Sequence, residues 1–342
     1  MLRLPPIELQ TPATVQEAAQ AVANGNARLV AGGTDLWPNM KRRHQKAETV
    51  ISLMSIPGLD KIDSAGADIH IGGTAKLSNI IRDDKVRERF PAFAKALASI
   101  SSPPLRNMGT IGGNLCVDTR CTYYNQTEEW RRSIDYCLKE EGTICWVATK
   151  SPRCWAHTAS DSAPILCALD AKVKLVSASG EREIPLAEMY VDDGIDYLSK
   201  QPDEILTEIT VPGSSDSSHC RSTFWKLRRR GSIDFSTMSV AAAVWMDDND
   251  VVTGASMYLG AVGSSPMPVA EIESVLAGNK LGEEAIDKIA RAAHKIAQPM
   301  DNTDFAASWR GKMTEQYVIA ALREIAGLPQ ERMQPRHMLK VV

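Results

Sequence analysis

Short apolar runs alternate along this chain with polar stretches punctuated by glycine, a pattern that predicts many small elements rather than a few long ones. A helix is predicted over 14–24, with Thr14 as its cap and Glu17 completing a capping box. The apolar strand 28–31, the loop Gly32-Gly33-Thr34-Asp35 and the strand 49–52 follow, so the opening segment reads as a small parallel unit. Residues 69–71 read as a strand running into Gly72-Gly73-Thr74, and 91–99 as a helix. Residues 172–176 and 183–186 flank Ser179-Gly180 as a hairpin. The turn-forming linker 212–218 marks a boundary. Strands at 241–245 and 255–259 lie beyond it, then helices near 282–297 and 308–325. The expected units are therefore 1–55, 56–215 and an α+β unit over 220–330, with a tail at 331–342.

One stretch breaks this pattern. Residues 116–159 hold five of the seven cysteines, three of the seven tryptophans and three of the seven tyrosines. Cys121, Cys137, Cys145 and Cys154 have fifteen, seven and eight residues between them. Zinc knuckles use pairs two to four residues apart, because a tight turn brings both sulfurs to one ion. Widely spaced thiolates on a wrapping loop suit the separate corners of an iron–sulfur cubane better. Spacing favours a cluster and leaves structural zinc and unligated core cysteines open. A loop this long inside a folded unit is uncommon, and metal binding would offset the entropy of ordering it. Tyr123, Tyr124, Trp130, Tyr136, Trp146 and Trp155 supply apolar anchors that would also keep water away.

Composition narrows the class. The 342 residues, 44% hydrophobic and 24% charged, are ample for two or three packed units. A net charge of −3 argues against a general nucleic-acid binder. The basic runs Lys41-Arg42-Arg43-His44 and Arg228-Arg229-Arg230 read as solvated faces. The start MLRLPPIELQ lacks the features of a signal peptide, and no apolar run approaches a membrane span. A reducing cytoplasmic setting is expected, which disfavours disulfides. No Ser–His–Asp or paired-carboxylate arrangement stands out. Of the six histidines only His157 is near the cysteines, and it reads as supporting a ligand or facing solvent.

The glycine loops suggest a phosphate cradle. Paired glycines in 31–36 and in Gly109-Thr110-Ile111-Gly112-Gly113-Asn114 allow successive N–H groups to point into one concavity, and such nests hold phosphate oxygens. Neither loop is a G-x-G-x-x-G fingerprint or a P-loop, so nicotinamide-Rossmann and NTPase readings lose ground.

At these residues the chain resembles a known family. LVAGGTDL (29–36), IGGTAKLSNI (71–80), RNMGTIGGNL (106–115), SDSAPILCALDAKVKLV (160–176), PDEILTEITVP (202–212) and FWKLRRRGSIDFSTMSVAAAV (224–244) are similar, in order, to the flavin-carrying medium subunit of the xanthine oxidase family of molybdenum hydroxylases. The resemblance implies an α+β fold: a two-part FAD-binding domain of the molybdopterin-dehydrogenase type, with a cysteine-rich loop insertion, followed by a C-terminal α+β domain. It implies that Ala31, Gly32, Gly33, Thr34 and Asp35 cradle the FAD pyrophosphate, and that Thr110, Gly112, Gly113 and Asn114 line its other side and the ribityl chain. Asp161 would accept from ribityl hydroxyls, and Lys226 would sit near the isoalloxazine edge.

One branch of the family, which removes a phenolic hydroxyl reductively from an aromatic acyl-CoA, is similar in having such an insertion. That likeness assigns Cys121, Cys137, Cys145 and Cys154 to a [4Fe-4S] cluster and leaves Cys116, Cys167 and Cys220 as small core residues. The implied partners are a molybdenum-cofactor large subunit, a small [2Fe-2S] subunit and a ferredoxin-like donor, in a dimer of heterotrimers. The chain would then be the electron-transfer subunit of an oxidoreductase, with substrate chemistry on another chain. Two alternatives stay open: an oxidising hydroxylase acting on another aromatic or N-heterocycle, and a zinc-stapled docking insertion without an electron-transfer role.

Overall fold

The computed structural model describes residues 2–330 except Asn24 and Ser218, so the predicted tail, the last residue of the predicted first helix and the last of the linker lie outside the described residues. The strands are β1 (Glu8–Gln10), β2 (Ala27–Val30), β3 (Thr49–Ser52), β4 (Ile62–Asp63), β5 (Ile69–Gly72), β6 (Lys172–Ser177), β7 (Gly180–Pro185), β8 (Ile205–Val211), β9 (Cys220–Leu227), β10 (Met238–Met246), β11 (Val252–Gly260) and β12 (Met267–Pro268). They form three sheets.

The first sheet is parallel, in the order β1-β3-β2. The helix Val15–Ala23 turns Ala18, Ala19 and Val22 inward, and these pack with Ile51. Its start is fixed locally: the Thr14 hydroxyl accepts from the Glu17 N–H at 3.1 Å, and the Glu17 carboxylate accepts from the Ala13 N–H at 2.8 Å. The second core of this region gathers Val30, Met40 and Val50, Met40 coming from the helix Leu36–Lys41.

The second sheet is antiparallel, in the order β4-β5-β8-β6-β7. The helix Ser162–Ala168, every residue of which is buried, joins Phe90, Phe93 and Leu97 in the core above it. The third sheet runs β12-β11-β10-β9 and packs against the helices Glu271–Leu276, Glu283–Ile296 and Ala307–Ala326. The last of these stops at Gly327, whose left-handed backbone (φ 68°) suits a residue without a Cβ. Among the described residues no helix is long and apolar enough to cross a membrane.

The cysteine-rich segment is mostly turns, with one short helix, Glu128–Ser133, capped by the Thr127 hydroxyl. Its two ends meet. Arg120 and His157 form an isolated antiparallel bridge, N–H to C=O in both directions at 2.9 and 2.8 Å. Residues 121–156 thus form a closed appendage on a two-hydrogen-bond neck.

Candidate functional site: two glycine loops beside a four-thiol cavity

The first glycine loop leaves β2 and enters the helix Leu36–Lys41. Gly33 is left-handed (φ 69°), and a Cβ on Gly32 would collide with the carbonyl of Met108. Glycine is therefore demanded twice, once by conformation and once by close approach. Among the described residues the N–H groups of Gly32, Gly33, Thr34 and Asp35 donate to no acceptor. Four successive unpaired donors on one turn make a concavity of positive potential suited to an anion. The Thr34 hydroxyl lies beside Gly109, so the two glycine loops share an edge.

The second loop is held from below by Gly73 and Ala75, whose carbonyls accept from Gly112 and Ile111. The N–H of Gly112 donates to Gly73 O at 2.9 Å, and a Cβ at Gly112 would strike that same carbonyl. Thr110 is buried and uses its hydroxyl to cap the helix Ile111–Leu115, accepting from Gly113 N at 3.2 Å. Asn114 turns its carbonyl oxygen to Ser160 and Ser162, at 3.0 and 2.6 Å from their hydroxyls. This ties the loop to the segment that carries Asp161.

Asp161 and Lys226 meet directly. Their ion pair, 2.5 Å long, is buried on both sides, and Ser236 donates to the other carboxylate oxygen at 2.6 Å. Burial pulls the Lys226 amine below the ordinary lysine range, opposed by the Asp161 carboxylate. Asp161 starts the helix Ser162–Ala168 but makes no side-chain cap bond.

The four cysteines converge. Cys121, Cys137, Cys145 and Cys154 are each at most 7% exposed and line one cavity with Tyr123, Tyr124, Leu138, Lys139, Trp146, Val147 and Ala156. Burial pushes the Cys121 thiol up to about 12 and the Cys154 thiol up to about 11, and raises Cys137 as well. Lys139 opposes this at Cys137 and Cys154. Its ammonium, only 6% exposed, is fixed by Asp118 and Thr119 at 2.8 Å each and by Gly194 O at 2.5 Å, between the rings of Tyr124 and Tyr197. Gly194 itself must be small: a Cβ there would lie 2.6 Å from the Cys154 sulfur. Among the described residues, no three His, Cys, Asp or Glu side chains are grouped so as to hold a single metal ion.

The appendage is seated on the first sheet's loop region. Arg120 forms an ion pair with Asp35 and reaches Asn39 Oδ1 at 3.4 Å. Burial raises the Asp35 carboxyl, and Arg120 opposes the rise. His44 donates from Nε2 to Gln126 O at 3.0 Å, Tyr124 donates to His44 O at 2.8 Å, and the fully buried Arg131 pairs with Glu140 while donating to Arg42 O at 2.7 Å. On the far side, Asn302 donates to Trp155 O at 2.5 Å and accepts from Thr122 N at 2.9 Å.

Several expectations change here. The run Lys41-Arg42-Arg43-His44 is not a solvated face throughout: His44 is buried under the insertion, and burial beside Arg131 lowers its pKa to about 4. His157 neither faces solvent nor lines the cavity; it is buried at the neck with its Nδ1 2.9 Å from Thr158 O, and burial lowers its pKa to about 4. Of the six aromatic anchors only Tyr123, Tyr124 and Trp146 line the cavity. Trp130 is 38% exposed, Tyr136 offers its carbonyl to Trp146, and Trp155 lies under Arg153. Cys167 and Cys220 sit in the second sheet's core, with Cys116 packed against it. Arg120, Lys139, Gly194 and Ser236 went unforeseen; only the first two carry a hint, lying one and two residues from a cysteine.

A family profile described as "FAD binding domain in molybdopterin dehydrogenase" matches residues 5–214, and another, "CO dehydrogenase flavoprotein C-terminal domain", matches 222–325. The chain belongs to the FAD-binding medium subunits of the xanthine oxidase and CO dehydrogenase family, and it is a FAD-binding oxidoreductase subunit. It is 31% identical over 301 residues to the aldehyde oxidoreductase FAD-binding subunit PaoB of Escherichia coli (strain K12), covering 85% of this chain and 90% of that one. It is 28% identical over 273 residues to the nicotinate dehydrogenase FAD-subunit of Eubacterium barkeri, covering 80% and 79%. The fold matches a Cu,Mo-CO dehydrogenase chain with a TM-score of 0.78 at 23% identity, covering 95% of this chain and 99% of that one. The α+β architecture expected from the sequence is thus the observed one.

Proposed function

We propose that this chain is the flavin and iron–sulfur subunit of a molybdenum enzyme of the 4-hydroxybenzoyl-CoA reductase type, with Cys121, Cys137, Cys145 and Cys154 as ligands of a [4Fe-4S] cluster. The observation that carries the reading is the convergence of four buried thiols on one largely apolar cavity, in a segment seated against the first glycine loop. The donor set fits a cluster: four sulfurs, no carboxylate or imidazole in the lining, and a fixed ammonium at Lys139 to balance thiolate charge. A single zinc would need all four sulfurs within about 2.3 Å of one centre, whereas a cubane takes them at separate corners.

Bound together, a cluster and FAD supply one-electron and one- or two-electron exchange between a ferredoxin-like donor and the [2Fe-2S] clusters of a small partner subunit. The chain's own residues hold these groups. The amides of Gly32 to Asp35 receive the pyrophosphate, with Ala31 at the loop's start and Thr110, Gly112, Gly113 and Asn114 forming the adjoining wall. Asp161 and Lys226, locked to each other and to Ser236, give the flavin pocket a fixed polar edge. Tyr123, Tyr124 and Trp146 keep water from the sulfurs. The substrate, an aromatic acyl-CoA, would meet the molybdenum cofactor on a large partner subunit in a cytoplasmic dimer of heterotrimers.

The test is anaerobic purification followed by iron, acid-labile sulfide and FAD analysis. About four iron, four sulfide and one FAD per chain are expected, with Cys137→Ser or Cys145→Ser abolishing iron and sulfide while FAD still binds at saturation. Zinc without sulfide would sink the cluster assignment and leave a stapled insertion. Potentiometry of cluster against flavin then distinguishes a reductase from an oxidising hydroxylase.

A further inference from the structure

The cysteine segment and the first glycine loop touch through one side chain at the neck. Arg120 precedes Cys121, and its backbone is clamped to His157 by both bridge hydrogen bonds. Its guanidinium, 11% exposed, leaves the appendage to pair with Asp35, the last residue of the loop Gly32–Asp35, and reaches Asn39 at 3.4 Å. Asn39 is itself held by Asp35 at 2.8 Å. The far face of the guanidinium lies 4.8 Å from the ring of Phe235, which follows β9 and precedes Ser236, the partner of Asp161. A planar fork fixed on two acceptors transmits position where a flexible ammonium would not. Because a buried charge stripped of its partner is costly, a shift of Cys121 that moves Arg120 must also move Asp35.

We infer that Arg120 is a positioning residue that couples metal-site assembly to FAD binding. This rests on the reading of the insertion as a cluster site. Ligation of Cys121 fixes the neck, the neck fixes Arg120, and Arg120 holds Asp35 with the row of N–H groups of its loop in their receiving conformation. Coupling between two binding sites is reciprocal, so FAD equally favours retention of the metal.

A double-mutant cycle on the complete chain tests this. FAD dissociation constants are measured by flavin fluorescence for the wild type, Cys137→Ser, Arg120→Gln and the double variant, with iron and sulfide determined on each. Loss of the cluster through Cys137→Ser is expected to weaken FAD about tenfold, within the usual range of coupling between sites. Arg120→Gln keeps its iron and sulfide, and in that background Cys137→Ser changes the FAD constant by less than about twofold. A purely structural Arg120 would weaken FAD by one factor with or without the metal, so equal effects of Cys137→Ser in both backgrounds overturn the proposal. No effect of Cys137→Ser on FAD in the wild type overturns it too. Should Arg120→Gln fail to fold, Asp35→Asn removes the same ion pair from the other side and carries the same expectation. A wild type without iron or sulfide overturns the cluster reading and the coupling together, and metal analysis reveals that before any titration.

Discussion

The four-thiol cavity and the paired glycine loops are neighbours built from opposite halves of the residue. In the cavity side chains do the holding: sulfurs, aromatic walls and the Lys139 ammonium converge while the backbone merely turns. In the glycine loops side chains are absent where it matters, and the surface offered is a row of amide N–H groups. A side-chain site is sensitive to any loss of a functional group. A backbone site is sensitive to any gain of bulk. Deleting a side-chain group therefore probes the cavity, and adding a Cβ probes the loops.

The largest expected effect falls on the cavity. Lys139→Met leaves Asp118, only 8% exposed, without its cation, and removing one partner of a buried pair costs about 3–5 kcal/mol. Urea unfolding should show that loss; a change below about 1 kcal/mol would mean that Lys139 contributes no more than a surface ion. The neck between the two sites responds to acid. His157 has its folded pKa lowered to about 4 by burial, against an ordinary value near 6.5. Between those values the unfolded state binds the proton more readily. Stability therefore falls as pH drops through that window, by about 1.4 kcal/mol per pH unit for this one group. His157→Asn should flatten the profile of stability against pH by that slope, and an unchanged profile would contradict the burial.

The backbone site is tested by bulk. Gly33→Ala places a Cβ in a left-handed conformation that costs about 1–2 kcal/mol, with the Trp37 indole in its way. Relief requires the loop to leave its receiving conformation, so the FAD dissociation constant should rise about tenfold with iron content unchanged. Equal FAD affinity would remove that loop from the flavin site. The smallest effect belongs to Lys46 and Glu141, an ion pair between the same two regions whose side chains are 71% and 57% exposed. Lys46→Ala should cost less than about 1 kcal/mol, in contrast to the more sheltered pair of Arg120 and Asp35 between the same surfaces, whose side chains are 11% and 34% exposed.

What was legible in the sequence follows the same division. Elements with strong local signals lie where they were read: the capped helix Val15–Ala23, the helix Pro91–Ala98, and the hairpin of β6 and β7 around its Ser-Gly turn. β8 went unread, although it is the central strand of its sheet, because its pairings with β5 and β6 are remote in sequence and its alternation covers only the second half of a short, mostly buried run. β1, three residues whose one apolar side chain, Leu9, is exposed, offered too short a signal to read. The cysteines announced themselves by residue type and crowding. Arg120 and Lys139 did not, since charged residues are ordinarily surface residues and only the fold turns these two inward. Asp161 and Lys226, 65 positions apart, were each assigned to the flavin singly, and their bond to one another is a tertiary fact no local pattern carries.

The neck at Arg120 and His157 has a meaning for how such a chain can be assembled. A segment whose ends are one backbone bridge apart enters and leaves its host at the same place, so the host strands keep their register and the surrounding sheets need no adjustment. Residues 121–156 have the geometry of a removable cartridge. The segment could be excised and its ends joined by a short turn once Asp118, which would lose Lys139, is made neutral, or grafted whole onto a related scaffold that offers acidic residues placed like Asp35 and Asp118.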